Sequence, residues 1–157
     1  MLLHASSIAR DGDAILLLGP PGSGKSDLVL RLLQSGWSLV ADDQVVLQAE
    51  GGELRPSVPA ALAGLLEVRG LGILGPFPTA AAAVLRLVVH LLPRAEVPRL
   101  PEPATWSAAG ITLPAIRLHG FEASAPAKLA LALEAVLGRL GCRAGAFPPG
   151  AFEQAPE

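Results

Sequence analysis

A single cysteine, Cys142, stands in a chain of 157 residues. It excludes an internal disulfide and fits a reducing cytoplasm, where thiols stay free. Charge is also scarce. Asp, Glu, Lys and Arg make up 17 % of the chain and hydrophobic residues 51 %, against about 25 % and 45–50 % in an ordinary soluble domain. That apolar excess seeks burial, and self-association would satisfy part of it.

No basic run is present. The 12 Lys and Arg are scattered and the formal net charge is -2, whereas a nucleic-acid surface needs clustered cations to neutralise phosphates. No nucleic-acid partner is expected. The longest greasy stretch, residues 80–92, is interrupted by Arg86 and His90 and falls short of the about 20 apolar residues that span a bilayer. No membrane segment is expected, and Met1-Leu2-Leu3-His4 lacks the basic start of a signal peptide. A cytoplasmic location is expected. No internal repeat is visible. The length suits one domain, taken here as residues 1–145, with a disordered tail over 146–157 because Pro, Gly and Ala dominate there.

Against this background one stretch is rich in information. Gly19, Pro20, Pro21, Gly22, Ser23, Gly24, Lys25 and Ser26 follow the apolar run Ala14-Ile15-Leu16-Leu17-Leu18. They match the phosphate-binding loop pattern G-x-x-x-x-G-K-[ST], the Walker A pattern, at every specified position. Such a loop turns consecutive amides towards a polyphosphate, and the helix that follows adds its unpaired N–H groups and dipole. All eight residues are therefore candidates for holding a nucleotide by its phosphates. Lys25 would reach the outer phosphates, and Ser26 would be a Mg²⁺ ligand.

The flanking pattern supports this reading. Residues 2–9 read as a short strand carrying His4, and Asp11-Gly12-Asp13 as a hairpin turn. From Lys25 onward Leu28, Val29, Leu32 and Leu33 mark one helix face, and Ser35-Gly36 supplies its stop. Residues 37–41 read as a strand ending on Asp42-Asp43. Residues 44–48 continue as a strand, Glu50-Gly51-Gly52-Glu53 turns, and Leu54-Arg55 starts the return. Residues 84–89 favour a buried strand. Residues 93–103 contain four prolines and read as irregular and exposed. Residues 111–118 read as a strand that Pro114 assigns to an edge or bulge. Ser124 caps a final helix with Pro126 in its first turn, running to Leu140.

Two further features carry chemistry. The acidic pair Asp42-Asp43 lies at a strand end, where ligands of α/β sheets bind. Glu67 and Arg69 interrupt an apolar run two residues apart, on one side of a strand, and must pair, meet a ligand or face solvent.

Residues 19–26, Val40-Ala41-Asp42-Asp43 and Glu67-Val68-Arg69-Gly70-Leu71-Gly72-Ile73 together resemble the catalytic domain of HPr kinase/phosphorylase in identity and spacing. The compact form is similar to alphaproteobacterial versions. The resemblance implies an α/β fold with a phosphate-loop core and a mixed β-sheet, like phosphoenolpyruvate carboxykinase. It implies an ATP- and Mg²⁺-dependent serine kinase of an HPr-like phosphocarrier protein of the phosphotransferase system, which also runs phosphorolysis to pyrophosphate, and a hexamer. On matching positions Asp42 is the implied base and Lys25 contacts phosphates. Asp43 and Glu67 join Ser26 in the metal environment, and His4 is placed near the phosphate site. The family's late Gly-Arg-Asn is missing after residues 113–118, leaving Arg117 to stand in. From the residues alone two other readings stay open: a small-molecule kinase of the phosphate-loop class, and a nucleotide-binding regulator without turnover.

Overall fold

The run Ala14-Ile15-Leu16-Leu17 carries no polar residue because both of its faces are covered. In the computed structural model, which describes residues 1–149, these four side chains are fully buried and alternate between two cores. Ile15 and Leu17 face a helical layer, whereas Ala14 and Leu16 face a small second sheet. A continuous apolar run is the signature of such a central strand.

The strands are β1 (Leu2–Leu3), β2 (Ser6–Arg10), β3 (Asp13–Leu18), β4 (Ser38–Ala41), β5 (Val45–Glu50), β6 (Glu53–Ser57), β7 (Leu66–Val68), β8 (Gly72–Leu74), β9 (Val84–Leu91), β10 (Ala104–Ala108) and β11 (Ile111–Leu118). The α-helices are α1 (Lys25–Gln34) and α2 (Ala125–Val136). Six strands form the main sheet in the order β10-β11-β9-β3-β2-β4. Strands β3, β4, β9 and β11 run in one direction, with β2 and β10 opposed. The mixed sheet was expected. Helices α1 and α2 pack on one face through Leu28, Leu32, Leu129 and Leu133. The three-stranded sheet β1-β5-β6 covers the other through Val45, Leu47 and Leu54. Each fully buried leucine contributes about 1.5–3 kcal/mol, so both faces add to stability.

Several boundaries differ from the sequence reading, each for a local reason. Residues 2–9 are not one strand, because β1 pairs with β5 and β2 pairs with β3 and β4. The hairpin at Asp11-Gly12 forms as read, with Arg10 opposite Asp13. Residues 64–74 are a small hairpin, β7 with β8, so Arg69 sits in its turn and not on a strand beside Glu67. Strand β11 lies inside the sheet, yet only its residues 115–118 pair with β9. Pro114 falls in the half that has β10 alone as neighbour, where a missing N–H costs no ladder bond on the open side. Strand β10 was not read at all. Helix α2 stops at Val136, four residues before Leu140. Gly138 takes φ 76°, and Arg139 N–H donates to the Glu134 carbonyl at 2.9 Å, closing the helix in a Schellman turn.

The free edge of β4 is covered by the segment entering β9. Leu39 N–H donates to the Pro78 carbonyl at 2.8 Å and Ala80 N–H to the Leu39 carbonyl at 3.0 Å. At the other end of the chain, Ala146 and Phe147 are partly buried against the helical core, although the composition placed them in the tail. Residues 150–157 of that expected tail lie outside the described residues. Among the described residues no helix is long and apolar enough to cross a membrane.

Candidate functional site

Four strands of the main sheet point their carboxyl ends at the same rim, and the phosphate loop and the acidic pair leave two of those ends. The phosphate loop follows β3 and the acidic pair follows β4. The segments after β9 and β11 complete the rim. Open α/β sheets bind ligands at this end, and here a cleft of about 590 Å³ opens between the loop, α1 and the β7–β8 hairpin. Its wall includes Gly22, Gly24, Lys25, Ser26, Asp43 and Glu67.

The loop is shaped by close approach. A Cβ on Gly19 would lie 2.4 Å from Ser23 Oγ and 3.2 Å from the Leu91 carbonyl, so only glycine fits behind the turn. Gly24, with φ 102°, is the residue that bends the chain into α1, a conformation that side chains disfavour. Pro20 accepts from Ser23 N–H at 3.1 Å, closing the turn. Pro21 joins the cleft wall. Lys25 donates to the carbonyls of Gly19 and Pro20, the latter at 3.2 Å. Two of its three N–H donors thus hold the loop, leaving one for a ligand oxygen.

Asp42 is the most constrained acid. Ser26 Oγ donates to its two carboxylate oxygens at 2.8 and 3.1 Å, and Ser6 Oγ donates to Oδ1 at 2.8 Å. Burial raises its pKa above the ordinary carboxylate value, and the negative charges of Asp43 and Glu67 push the same way. The two serine hydroxyls partly offset this. Asp43 takes φ 69°, a left-handed conformation that Asp tolerates better than most residues. That kink separates the pair: Asp43 lines the cleft, whereas Asp42 stands half-buried behind Ser26. A bulge in the pairing of β2 with β4, between Ser7 and Ile8, lies just ahead of the pair, a position where bulges re-aim side chains.

The structure therefore gathers Lys25, Ser26, Asp43 and Glu67 on one wall, with Asp42 tied to it through Ser26. Arg69 lines the cleft beside Glu67 from the hairpin turn, and Leu66, buried against the α1 core, anchors that hairpin. His4 is exposed between β1 and β2 and does not line the cleft. It borders the site only through Ala5, whose N–H donates to the Asp43 carbonyl at 3.3 Å. Arg117 does not stand in for the missing late residues: it is exposed on β11 opposite His90, off the cleft wall. Among the described residues no three of His, Cys, Asp and Glu are grouped to hold a metal unaided.

Sequence reasoning missed two contributors. Ser6 is fully buried in a stretch that looked like an ordinary strand. The adjacent serines Ser6-Ser7 in a stretch read as a strand were its only signal. Phe121, on the loop after β11, lines the cleft, and nothing in its neighbours' types announced it. Gly120 beside it is wedged against the phosphate loop. A Cβ there would lie 2.5 Å from the Ser23 carbonyl and 3.4 Å from Gly24 Cα. Gly120→Ala is thus expected to push the two loops apart, at a cost of about 1–3 kcal/mol as for other overpacking changes. Thermal denaturation would show the lowered midpoint, and calorimetry a weakened nucleotide affinity.

Comparison with known proteins points one way. The model of the HPr serine kinase C-terminal domain matches residues 1–97. HPr kinase/phosphorylase of Brevibacillus brevis is 40 % identical over 81 residues, covering 51 % of this chain and 26 % of that protein. The Clostridium tetani enzyme of the same name is 44 % identical over 72 residues, 46 % of this chain and 24 % of that protein. The matched region is thus about a quarter of these relatives' length. The solved structure of the Hpr(Ser) kinase/phosphatase from Coxiella burnetii superposes with a TM-score of 0.72 at 26 % identity, covering 87 % of this chain and 93 % of that one.

Proposed function

The chain belongs to the HPr serine kinase C-terminal domain family, and on that premise we propose that it transfers the γ-phosphoryl group of ATP to a serine of an HPr-like phosphocarrier protein, and that it also removes that phosphate by phosphorolysis. The observation that carries this reading is the Ser26–Asp42–Ser6 hydrogen-bond chain. It ties a carboxylate of raised pKa to the phosphate loop.

Phosphoryl transfer asks little covalent chemistry of a protein. It needs charge neutralised on the phosphoryl oxygens and a nucleophile held in line. The remaining N–H of Lys25 and the amides at the start of α1 supply positive potential along the polyphosphate. The incoming serine oxygen bonds to the γ-phosphorus as the bond to the bridging oxygen breaks, and ADP leaves. Asp42 takes the hydroxyl proton, a role that its raised pKa suits, because a base works best when its pKa approaches the working pH. In phosphorolysis, an oxygen of inorganic phosphate bonds to the phosphoserine phosphorus as the bond from that phosphorus to the serine oxygen breaks, Asp42 gives a proton to the departing serine oxygen, and the pyrophosphate so formed is released.

The residues present fit Mg²⁺. Ser26 Oγ directs its proton to Asp42, which frees its lone pairs, and Asp43 and Glu67 add hard carboxylate oxygens on the same wall. With so few protein ligands, the site suits an ion that keeps waters and takes phosphate oxygens. When bound, it would neutralise charge on the phosphates. His4 is an outer contact for the incoming protein.

Self-association belongs to the same reading. The β7–β8 hairpin leaves Leu71 72 % and Ile73 70 % exposed, surface that a second copy would cover in the hexamer that the resemblance implies. The direct test is incubation with Mg²⁺, ATP and the host's HPr-like proteins, followed by mass spectrometry. Phosphoserine on one of them supports the proposal, and ATP binding without any phosphoserine overturns it.

A further inference from the structure

The wall of the cleft joins Lys25, Ser26, Asp27, Asp43, Glu67 and Arg69 with the apolar Pro21, Leu30 and Val68, and a phenylalanine stands among them. Phe121 is 54 % exposed and takes no part in either hydrophobic core. An aromatic ring left open to water at a charged site is unusual for a residue whose burial stabilises a fold.

The loop that carries it is held rather than loose. Arg31 of α1 donates to the Gly120 carbonyl and, at 2.8 Å, to the Glu122 carbonyl, clamping the backbone on both sides of Phe121. His119 Nδ1 lies 3.0 Å from the Leu92 carbonyl, tying the loop to the end of β9. The His119 ring meets Phe121 edge-on, with centroids 6.0 Å apart and planes at 63°. Glu122 is engaged by Arg94 at 3.1 Å and Lys128 at 2.6 Å. Gly120, wedged on the phosphate loop, sets the ring beside Gly24. A Cβ on Gly24 would meet the edge of that ring at 3.4 Å.

We propose that Phe121 is the platform on which the nucleotide's base stacks while its phosphates lie in the loop of residues 19–26. This rests on the nucleotide reading above and adds how the base is held. The placement follows from topology: β11 runs parallel to β9, and β9 to β3, so the loop after β11 opens at the same rim as the phosphate loop. Of this loop Phe121 alone is part of the cleft wall, while Glu122 pairs with Arg94 and Lys128 and His119 Nδ1 with the Leu92 carbonyl. Recognition is therefore by ring face, which every base possesses, and adenine and guanine nucleotides are held alike.

Titration calorimetry in Mg²⁺ with ADP, GDP and inorganic tripolyphosphate tests this on the wild type, Phe121→Ala and Phe121→Trp. Stacking contributions of the usual size predict that Phe121→Ala weakens ADP and GDP by about tenfold and leaves tripolyphosphate within about twofold, with Phe121→Trp restoring the nucleotides. Unchanged ADP affinity in Phe121→Ala, or an equal loss for ADP and tripolyphosphate, overturns the platform. Wild-type protein that binds tripolyphosphate as tightly as ADP also overturns it while sparing the phosphate site. Wild-type protein that binds none of the three overturns both.

Discussion

Asp42→Asn is expected to lower phosphoryl transfer by roughly two to four orders of magnitude, the usual contribution of a general base, while nucleotide affinity stays close to that of the wild type. The amide keeps an oxygen for the Ser26 and Ser6 hydroxyls, so the geometry around the phosphate loop survives. What is lost is the capacity to take a proton. The same change should not weaken the fold. Asp42 has a raised pKa, so the folded chain binds its proton more tightly than the unfolded chain does. Between the ordinary and the raised value stability falls as pH rises, and above both values the full cost of the buried charge remains. Removing the charge therefore gives a midpoint equal to or above that of the wild type at neutral pH. This advantage fades as both proteins are acidified through that window. Melting curves at several pH values, beside a phosphotransfer assay, check both halves. A variant that melts lower and also loses nucleotide would assign Asp42 to structure alone. In the wild type, the acid limb of the kinase pH–rate profile should lie above the ordinary carboxylate range for the same reason.

Lys25→Ala should do the opposite, weakening nucleotide binding by roughly 10- to 100-fold, as expected for the loss of hydrogen bonds to a charged group. Two losses combine here. The ammonium no longer meets the phosphates, and the carbonyls of Gly19 and Pro20 lose the donor that holds the loop closed. Lys25→Arg is not expected to rescue, because a planar fork cannot replace a compact point charge within so tight a turn. Calorimetry with ADP measures the loss. Equal effects of Lys25→Ala and Asp42→Asn on binding would contradict the division of roles proposed for them.

The parts of this site that were legible in the sequence are those whose chemistry is local. The spacing of residues 19–26 dictates its own turn, and the unbroken apolar run from Ala14 to Leu18 announced a buried strand. Asp42-Asp43 was legible as a pair but not as two residues facing different ways, since the positive φ of Asp43 depends on pairing with Ser6 and Ala5 nearly forty positions earlier in the chain. Ser6 and Phe121 were illegible for the same reason: their roles arise from which strand ends become neighbours. The early stop of α2 was readable in principle, because Gly138 is an ordinary helix terminator. It was outweighed by the apolar residues around it. Residues 64–74 misled differently, since an apolar run with two charges fits one strand or two short ones, and only the register of β7 on β8 decides.

Because the rim is assembled from the ends of β3, β4, β9 and β11, it draws on strands that span residues 13–118. The parallel pairings β3 with β9 and β9 with β11 close loops of many residues, which places this fold among slow folders whose decisive contacts come late. A ligand bridging those ends binds only the finished sheet, so it stabilises the fold by an amount that grows with its concentration relative to its Kd. Nucleotide in the cell would then act as a late checkpoint on folding, protecting completed chains from proteolysis and leaving incomplete ones unprotected.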